Sequence, residues 1–444
     1  MLRGRSRLCV CVIVLSGVVL SAQVQGAGYA LIEHSASGMG NAFAGGAAVA
    51  EDASTVFFNP AGMMNLKRVE VALAGHAIIP TMQFTNQGSE LAEIFNGQLL
   101  TGRDTQDGGH SAFVPNFYYV HGINPSLKFG LGINVPFGLS VKYDDDWVGR
   151  YHAVDSELET LNINPSLAFR VSDNLSLGAG VSVQTIEVIL SNVIDFGALI
   201  PDPQQHDGFV YIKGDNSDSL SYGWNAGLLY ELSNSTRFGL AYRSEIDHNV
   251  KGTADFTVPG TVSFLTSGGR FIDSEVTADV TFPQTVSVSA YHRYGALALM
   301  SDITWTGWSA FQELRIKYDN PEQPDSVTTE EWEDTFRYAL GAHYQTAPQW
   351  LVRTGIAYDE TPVPNAQRRT PRIPDNDRLW LSLGAGFQAS KTLSVDFGYS
   401  HLFINDAEID NEFEASAPQL KATLKGTYQS SVDIFSLQLN WNID

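Results

Sequence analysis

The chain has 444 residues, two cysteines and a formal charge of −22, with a mean hydropathy of −0.09. Such acidity argues against nucleic acid as a partner, because phosphates would be repelled. No long apolar run follows residue 26, which excludes a helical membrane protein but not a β-barrel, whose alternating strands average to near-neutral hydropathy.

Residues 1–26 read as a secretory signal. Arg3, Arg5 and Arg7 form a basic start, residues 8–20 an apolar core, and Val24 and Gly26 supply small residues at −3 and −1 of a cleavage point. Both cysteines, Cys9 and Cys11, lie inside it, so the mature chain is expected to carry no thiol chemistry. Loss of the three arginines takes the formal charge from −22 to −25. Solvated loops are the plain reading of that acidity. A divalent cation bridging Asp144, Asp145 and Asp146 is the sharper alternative.

Residues 27–67 are too polar and too rich in small residues to span a membrane. They read as a compact, partly helical hatch. Residues 68–444 then alternate in strand after strand. Leu161, Ile163, Leu167 and Phe169 alternate with Asn162, Asn164, Ser166 and Arg170. The period returns through Leu379 to Phe387, Leu393 to Tyr399, and Phe435 to Ile443. One face suits lipid and the other a polar interior.

Tight turns are expected near residues 124–126, 172–174, 233–235, 293–295, 347–348 and 390–391. Longer polar connections are expected near 80–112, 140–155, 191–219, 252–273, 319–330, 361–377 and 404–420. Six short and seven long connections make thirteen, hence a fourteen-stranded antiparallel transmembrane β-barrel of the all-β class, both termini on the short-turn, periplasmic side. Pro115, Pro136 and Pro165 fall on the second, third and fourth strands. Pro136, between Gly132 and Gly138, makes the third strand the place for a bulge or kink. The last aromatic residue, Trp441, stands three positions short of the end, unlike the terminal ring usual in such barrels.

The chain resembles the FadL/TodX family of outer-membrane transporters for long-chain fatty acids and other hydrophobic compounds. The likeness starts at AGY (27–29) and SASGMG (35–40) and includes Asn59-Pro60-Ala61. It resumes in WNAGLLYELSNSTRFGLAYRSEI (224–246), TWTGWSAFQEL (304–314), RTGIAYDETPVP (353–364) and IPDNDRLWLSLG (373–384). The resemblance implies a hatch inside the barrel, an outer hydrophobic groove, an inner pocket of higher affinity, and lateral release beside a kinked third strand. Gly132, Pro136 and Gly138 would then flank the lateral opening, with Asn59, Pro60 and Ala61 at the gate.

It also implies ligand contacts by Tyr29 and Asn59, and carboxylate binding by Arg315 and Arg378, since arginine forms paired hydrogen bonds to a carboxylate. Alternation independently places Arg378 with the inward set. Its bland alternative is an ion pair with a wall carboxylate such as Asp396. A third basic position of fatty-acid-binding members aligns with Glu187, an anion that would favour neutral hydrocarbons or aromatics. Loop residues 80–110 and 191–219 are expected to build the outer entrance, by position alone.

The ten histidines show no metal-ligand spacing, and no cofactor or metal is expected. The nearest approach to a hydrolase elbow, residues 307–311 (GWSAF), lacks its last glycine and reads as strand; an enzyme is not expected. Glu51 and Asp52 are read as hydrogen-bonding the hatch. The expected function is passive, ligand-gated uptake of long-chain fatty acids across the outer membrane. Expected partners are such hydrophobic molecules, outer-membrane lipid and lipopolysaccharide, and detergent in the pocket of a crystal. A monomer is expected. The alternatives are neutral hydrocarbons or monoaromatics in the same architecture, a nonspecific porin, and a surface receptor or adhesin.

Overall fold

The computed structural model describes residues 27–443, so the signal expected over 1–26 lies outside the described residues. Fourteen antiparallel strands close into a barrel. They are β1 (Val69–Asn86), β2 (Ala112–Asn124), β3 (Leu127–Asn134 and Gly138–Lys142), β4 (Asp155–Ser172) and β5 (Leu175–Asp195). Next come β6 (Asp207–Asp215 and Ser221–Ser233), β7 (Thr236–Arg243 and Ile246–Thr257), β8 (Ser274–Phe282 and Thr285–Tyr294), β9 (Leu297–Thr306 and Glu313–Tyr318) and β10 (Ser326–Thr329 and Thr335–Ala347). The last are β11 (Trp350–Asp359), β12 (Arg378–Gln388), β13 (Leu393–Ile404 and Ala407–Glu412) and β14 (Ala422–Asn442). β14 seals the wall by pairing with β1 from Glu70↔Asn442 to Asn86↔Gly426.

The alternation decides which way each side chain points. On β14, Leu437 is 56% exposed to the outside while Gln438 beside it is fully buried. Outward rings gather at both rims: Tyr294, Tyr344, Trp350 and Trp441 near the short turns, and Tyr222, Trp224, Tyr338 and Tyr358 at the other end. Such girdles sit at the headgroup level of a bilayer.

Several expected connections are in fact strand. β1 runs on to Asn86, β5 to Asp195 and β7 to Thr257, and Asp207–Asp215 belongs to β6. β5 and β14 have 21 residues each, about twice what crossing a membrane requires. The surplus rises beyond the lipid, where outward positions need not be apolar, so the alternation that marks a strand disappears. Glu187–Lys213 at 2.6 Å and Asp279–Lys317 at 3.3 Å take the outward positions there.

Inside the barrel lies the N-terminal segment, with three single-turn helices, α1 (Ala36–Met39), α2 (Gly46–Val49) and α3 (Thr55–Phe58), and a 3-10 helix, Pro60–Asn65. Ser35 caps α1 by accepting from Gly38 N at 3.1 Å, and Asn59 caps the 3-10 helix through Ala61 N at 3.1 Å. α1 packs on β12 and β13, α2 on β7 and β8, and the 3-10 helix on β4 to β6. Helices this short are not stable alone; contact with the wall holds them. Wall glycines permit it, since a Cβ at Gly227 would collide with the Asn59 carboxamide.

Candidate transport site

Two sizeable cavities among the described residues lie on the barrel's interior. The outer one, about 130 Å³, is walled by Leu190, Ile212, Phe256, Phe271, Leu314 and Ile316. Arg270, Arg372 and His152 supply its polar edge. Arg372 donates to Ser156 Oγ at 2.7 Å and to the Asp155 carbonyl at 3.1 Å, and burial pulls its pKa down to about 10. The inner cavity, about 160 Å³, is bounded by the hatch (Leu31, Phe43, Phe57 and Phe58) and by wall residues including Phe137, Arg243, Trp308, Arg337 and Trp380. One water needs about 10–15 Å³ on this measure, so either space admits a ligand of many atoms.

An aromatic stopper stands between the two. Tyr29 has its ring centre 4.9 Å from Trp308, 5.5 Å from Trp332, 5.6 Å from Phe282 and Phe311, and 6.0 Å from Phe137. Phe137 and Trp308 line the inner cavity. Trp332 donates its indole N–H to Glu330 at 3.0 Å, and Glu330 in turn acts electrostatically on outer-cavity Arg372. Burial pushes Glu330 up to about 8 and raises the Tyr29 phenol, whose hydroxyl finds no partner. Gly28 is required here: its φ is +62°, and a Cβ would sit 2.7 Å from Trp332 and 2.9 Å from Trp308. Its N–H is held by Asp375 Oδ2 at 3.0 Å.

The wall is interrupted beside this stopper. The β2–β3 ladder stops at Phe117↔Ile133, whereas β2 continues against β1 to Ile78↔Ala112. On its other side β3 shifts register by one residue between Asn134↔Asn162 and Gly138↔Glu159, and Thr160 Oγ1 bridges the extra residue by accepting from Phe137 N at 3.1 Å and donating to Phe137 O at 2.7 Å. What covers the break is the hatch. Ala30 forms an antiparallel bridge with Phe137, Leu31 N donates to Pro136 O, and Gly138 N donates to Tyr29 O, both at 2.9 Å. Behind the unpaired stretch of β2, Asn116 donates to the Glu33 carbonyl at 2.8 Å.

The chain belongs to the family of outer membrane protein transport proteins (OMPP1/FadL/TodX). The family's sequence profile matches residues 17–443. The long-chain fatty acid transport protein of Salmonella typhi is 31% identical over 432 residues, covering 92% of this chain and 95% of that one. Outer membrane protein P1 of Haemophilus influenzae is 30% identical over 94% of this chain and 95% of its own. A crystal structure of a Pseudomonas aeruginosa FadL homologue superposes with a TM-score of 0.87 at 28% identity, over 94% of this chain and all of that one. The toluene transporter TodX of Pseudomonas putida, at 14% identity and a TM-score of 0.65 over 94% of this chain and all of its own, shares the fold. This FadL/TodX-family barrel is therefore a protein of the Gram-negative outer membrane.

The residues singled out from the sequence fall in different places. Tyr29 is the centre of the stopper. Pro136 sits in the break, with Gly132 on the strand before it and Gly138 on the strand after it. Pro60 lines the inner cavity, and the backbone N–H of Ala61 is taken by Asn59. Asn59 itself is fully buried, its amide donating to Ala47 O at 2.7 Å and to Leu228 O at 3.0 Å. Its whole carboxamide is spent on backbone groups, and it fastens the hatch to β6.

Arg378 is buried as alternation indicates, but it is ion-paired with Asp375, the residue that also holds Gly28. Asp396 pairs with Arg353 instead, at 2.7 Å. Arg315 is corrected: it stands on the outer surface, bound to Glu313 at 2.7 Å and Asp325 at 3.2 Å, because the bend after Trp305 carries it above the lipid on the solvent side. Glu187 likewise points outward to Lys213 and has no bearing on the interior. Residues 308–310, read as strand, form a 3-10 turn, Trp308–Ala310, whose Trp308 is buried in the stopper. Arg103 bridges Asp144 and Asp146, so an arginine occupies that acidic cluster.

The cavity cations Arg243, Arg337 and Arg372 were not foreseen. For two of them a signal existed: Arg243 is in phase with Gly239 and Ala241, and Arg337 with Ala339 and Gly341. These are rows of small inward residues against which the hatch packs.

Proposed function

We propose that the protein carries long-chain hydrophobic molecules, long-chain fatty acids foremost, from the outer cavity past the Tyr29 stopper into the inner cavity, and releases them sideways into the membrane. The hatch residues 29–31 are the movable cover of the β3 break. Transport is passive and is drawn by consumption downstream. One barrel holds both cavities and the break, so a monomer suffices. The observation that carries the reading is that β3's interruption is closed by hatch backbone, where β2 would otherwise continue the ladder. Lateral exit is also what solvation favours, since each acyl CH₂ kept out of water saves about 0.8 kcal/mol.

The chain offers a clean test, since both cysteines lie in residues 1–26. Ala30 and Phe137 form a non-hydrogen-bonded antiparallel pair, whose Cα atoms lie about 4.5 Å apart in such ladders, close enough for a disulfide. With Ala30→Cys and Phe137→Cys, oxidation should abolish oleate uptake by cells and a reductant should restore it. Full uptake with the pair quantitatively cross-linked would end the proposal.

A further inference from the structure

We propose that Arg243 reads the head group of the cargo, making the inner cavity selective for a long-chain carboxylate over a neutral hydrocarbon; the inference rests on the transport reading above. Arg243 ends the first segment of β7 and faces the inner cavity. Every contact it makes is neutral. It donates to Ser182 Oγ at 3.2 Å and to the Phe57 carbonyl at 2.9 Å, and lies 4.2 Å over the Phe57 ring. A guanidinium has five N–H donors in a fixed fork, so three remain for a ligand.

Arg353, Arg378 and Arg337 each have a carboxylate beside them. Arg353 has Asp396 at 2.7 Å and Glu51 at 3.2 Å, and Arg378 has Asp375. Arg337 faces Asp359 at 4.0 Å and donates to the Ala42 carbonyl at 2.8 Å. Of the two arginines that line the inner cavity among the described residues, Arg243 is the one with no carboxylate within ion-pair reach.

The cavity's own carboxylates sharpen the choice of end. Asp302 accepts the hydroxyls of Ser289 and Thr304, and Asp359 faces Arg337. On that side an arriving anion meets Asp302 and Asp359 around Arg337, whereas Arg243 offers a charge with no carboxylate beside it. A desolvated cation without a counter-ion is costly to keep. A fatty-acid carboxylate would neutralise it through the open fork, whereas an alkane or toluene would seal it in unpaired. The acyl chain then has Leu31, Phe58 and Phe137 to lie against, toward the β3 break.

The test compares oleate with hexadecane on purified full-length protein, by quenching of tryptophan fluorescence. Arg243→Gln should weaken oleate binding about ten- to hundredfold, the worth of a charge-assisted hydrogen bond, with hexadecane affinity unchanged. Arg243→Lys should recover part of the loss. Unchanged oleate affinity, or equal losses for both ligands, would overturn the assignment. Should Arg243→Gln fail to fold, the wild-type protein still decides: it should prefer oleate to methyl oleate by tenfold or more, and equal affinities would refute the role. A wild-type protein that binds neither oleate nor hexadecane would instead sink the transport reading beneath it.

Discussion

Glu33 makes the closed hatch sensitive to pH. Its carboxyl is fully buried, and burial pushes its pKa up to about 7 against the opposing pull of the Glu33 and Ile32 backbone N–H groups and the fields of Arg378 and Arg337. Its neighbour His34 is pushed down to about 3 by burial, and the arginines stay charged. Glu33 is therefore the group within residues 29–34 that titrates between pH 5 and 8. It lies two residues past the strip that covers the β3 break. When that strip leaves the wall, Glu33 reaches water and its pKa returns toward about 4.3.

An acid whose closed-state pKa is raised favours closure fully below its open-state pKa, and that contribution is lost as pH rises through about 7. A gap of roughly 2.7 units is worth about 3.7 kcal/mol in all, of which about 2.6 is lost between pH 5 and 8. Hydrogen exchange of residues 29–33, corrected for intrinsic rates, should lose about fifty- to hundredfold of its protection over that interval. Glu33→Gln, isosteric and uncharged, should hold the pH 5 protection at both values. Flat protection in the wild type, or the same slope in the variant, would refute the reasoning.

Two further substitutions separate fastening from surface charge. Arg353→Gln strips Asp396 and Glu51 of their shared cation, and breaking a buried pair costs about 3–5 kcal/mol. Unfolding of the reconstituted barrel should begin at lower urea, and small hydrophiles should leak through a loosened hatch. Arg315→Ala, by contrast, touches an exposed charge paired with Glu313 and Asp325, and oleate uptake should be unchanged; a fall in uptake would return Arg315 to the pathway.

Alternation made the barrel legible because a lipid-facing wall must repeat one demand at every second residue, so Leu437, Leu439 and Trp441 announce β14 unaided. That demand stops where the lipid stops. The extended ends of β5 to β9 satisfy solvent on their outer face and read as loop, so no alternation fixes the face of Arg315 or Glu187, and the resemblance alone suggests a part for them in the interior. Pro136 was legible as a break because missing an N–H is a local property of one residue. Arg378 shows the opposite case: its inward direction followed from the pleat, but its partner, Asp375, lies in a connection whose course no periodicity encodes. Head-group recognition is harder still, because it depends on which buried arginine is left without a counter-ion. That is a difference between several long-range pairings. Arg243, Arg337, Arg353 and Arg378 look alike in sequence, and only the placement of Asp359, Asp375, Asp396 and Glu51 around three of them leaves the fourth open to cargo.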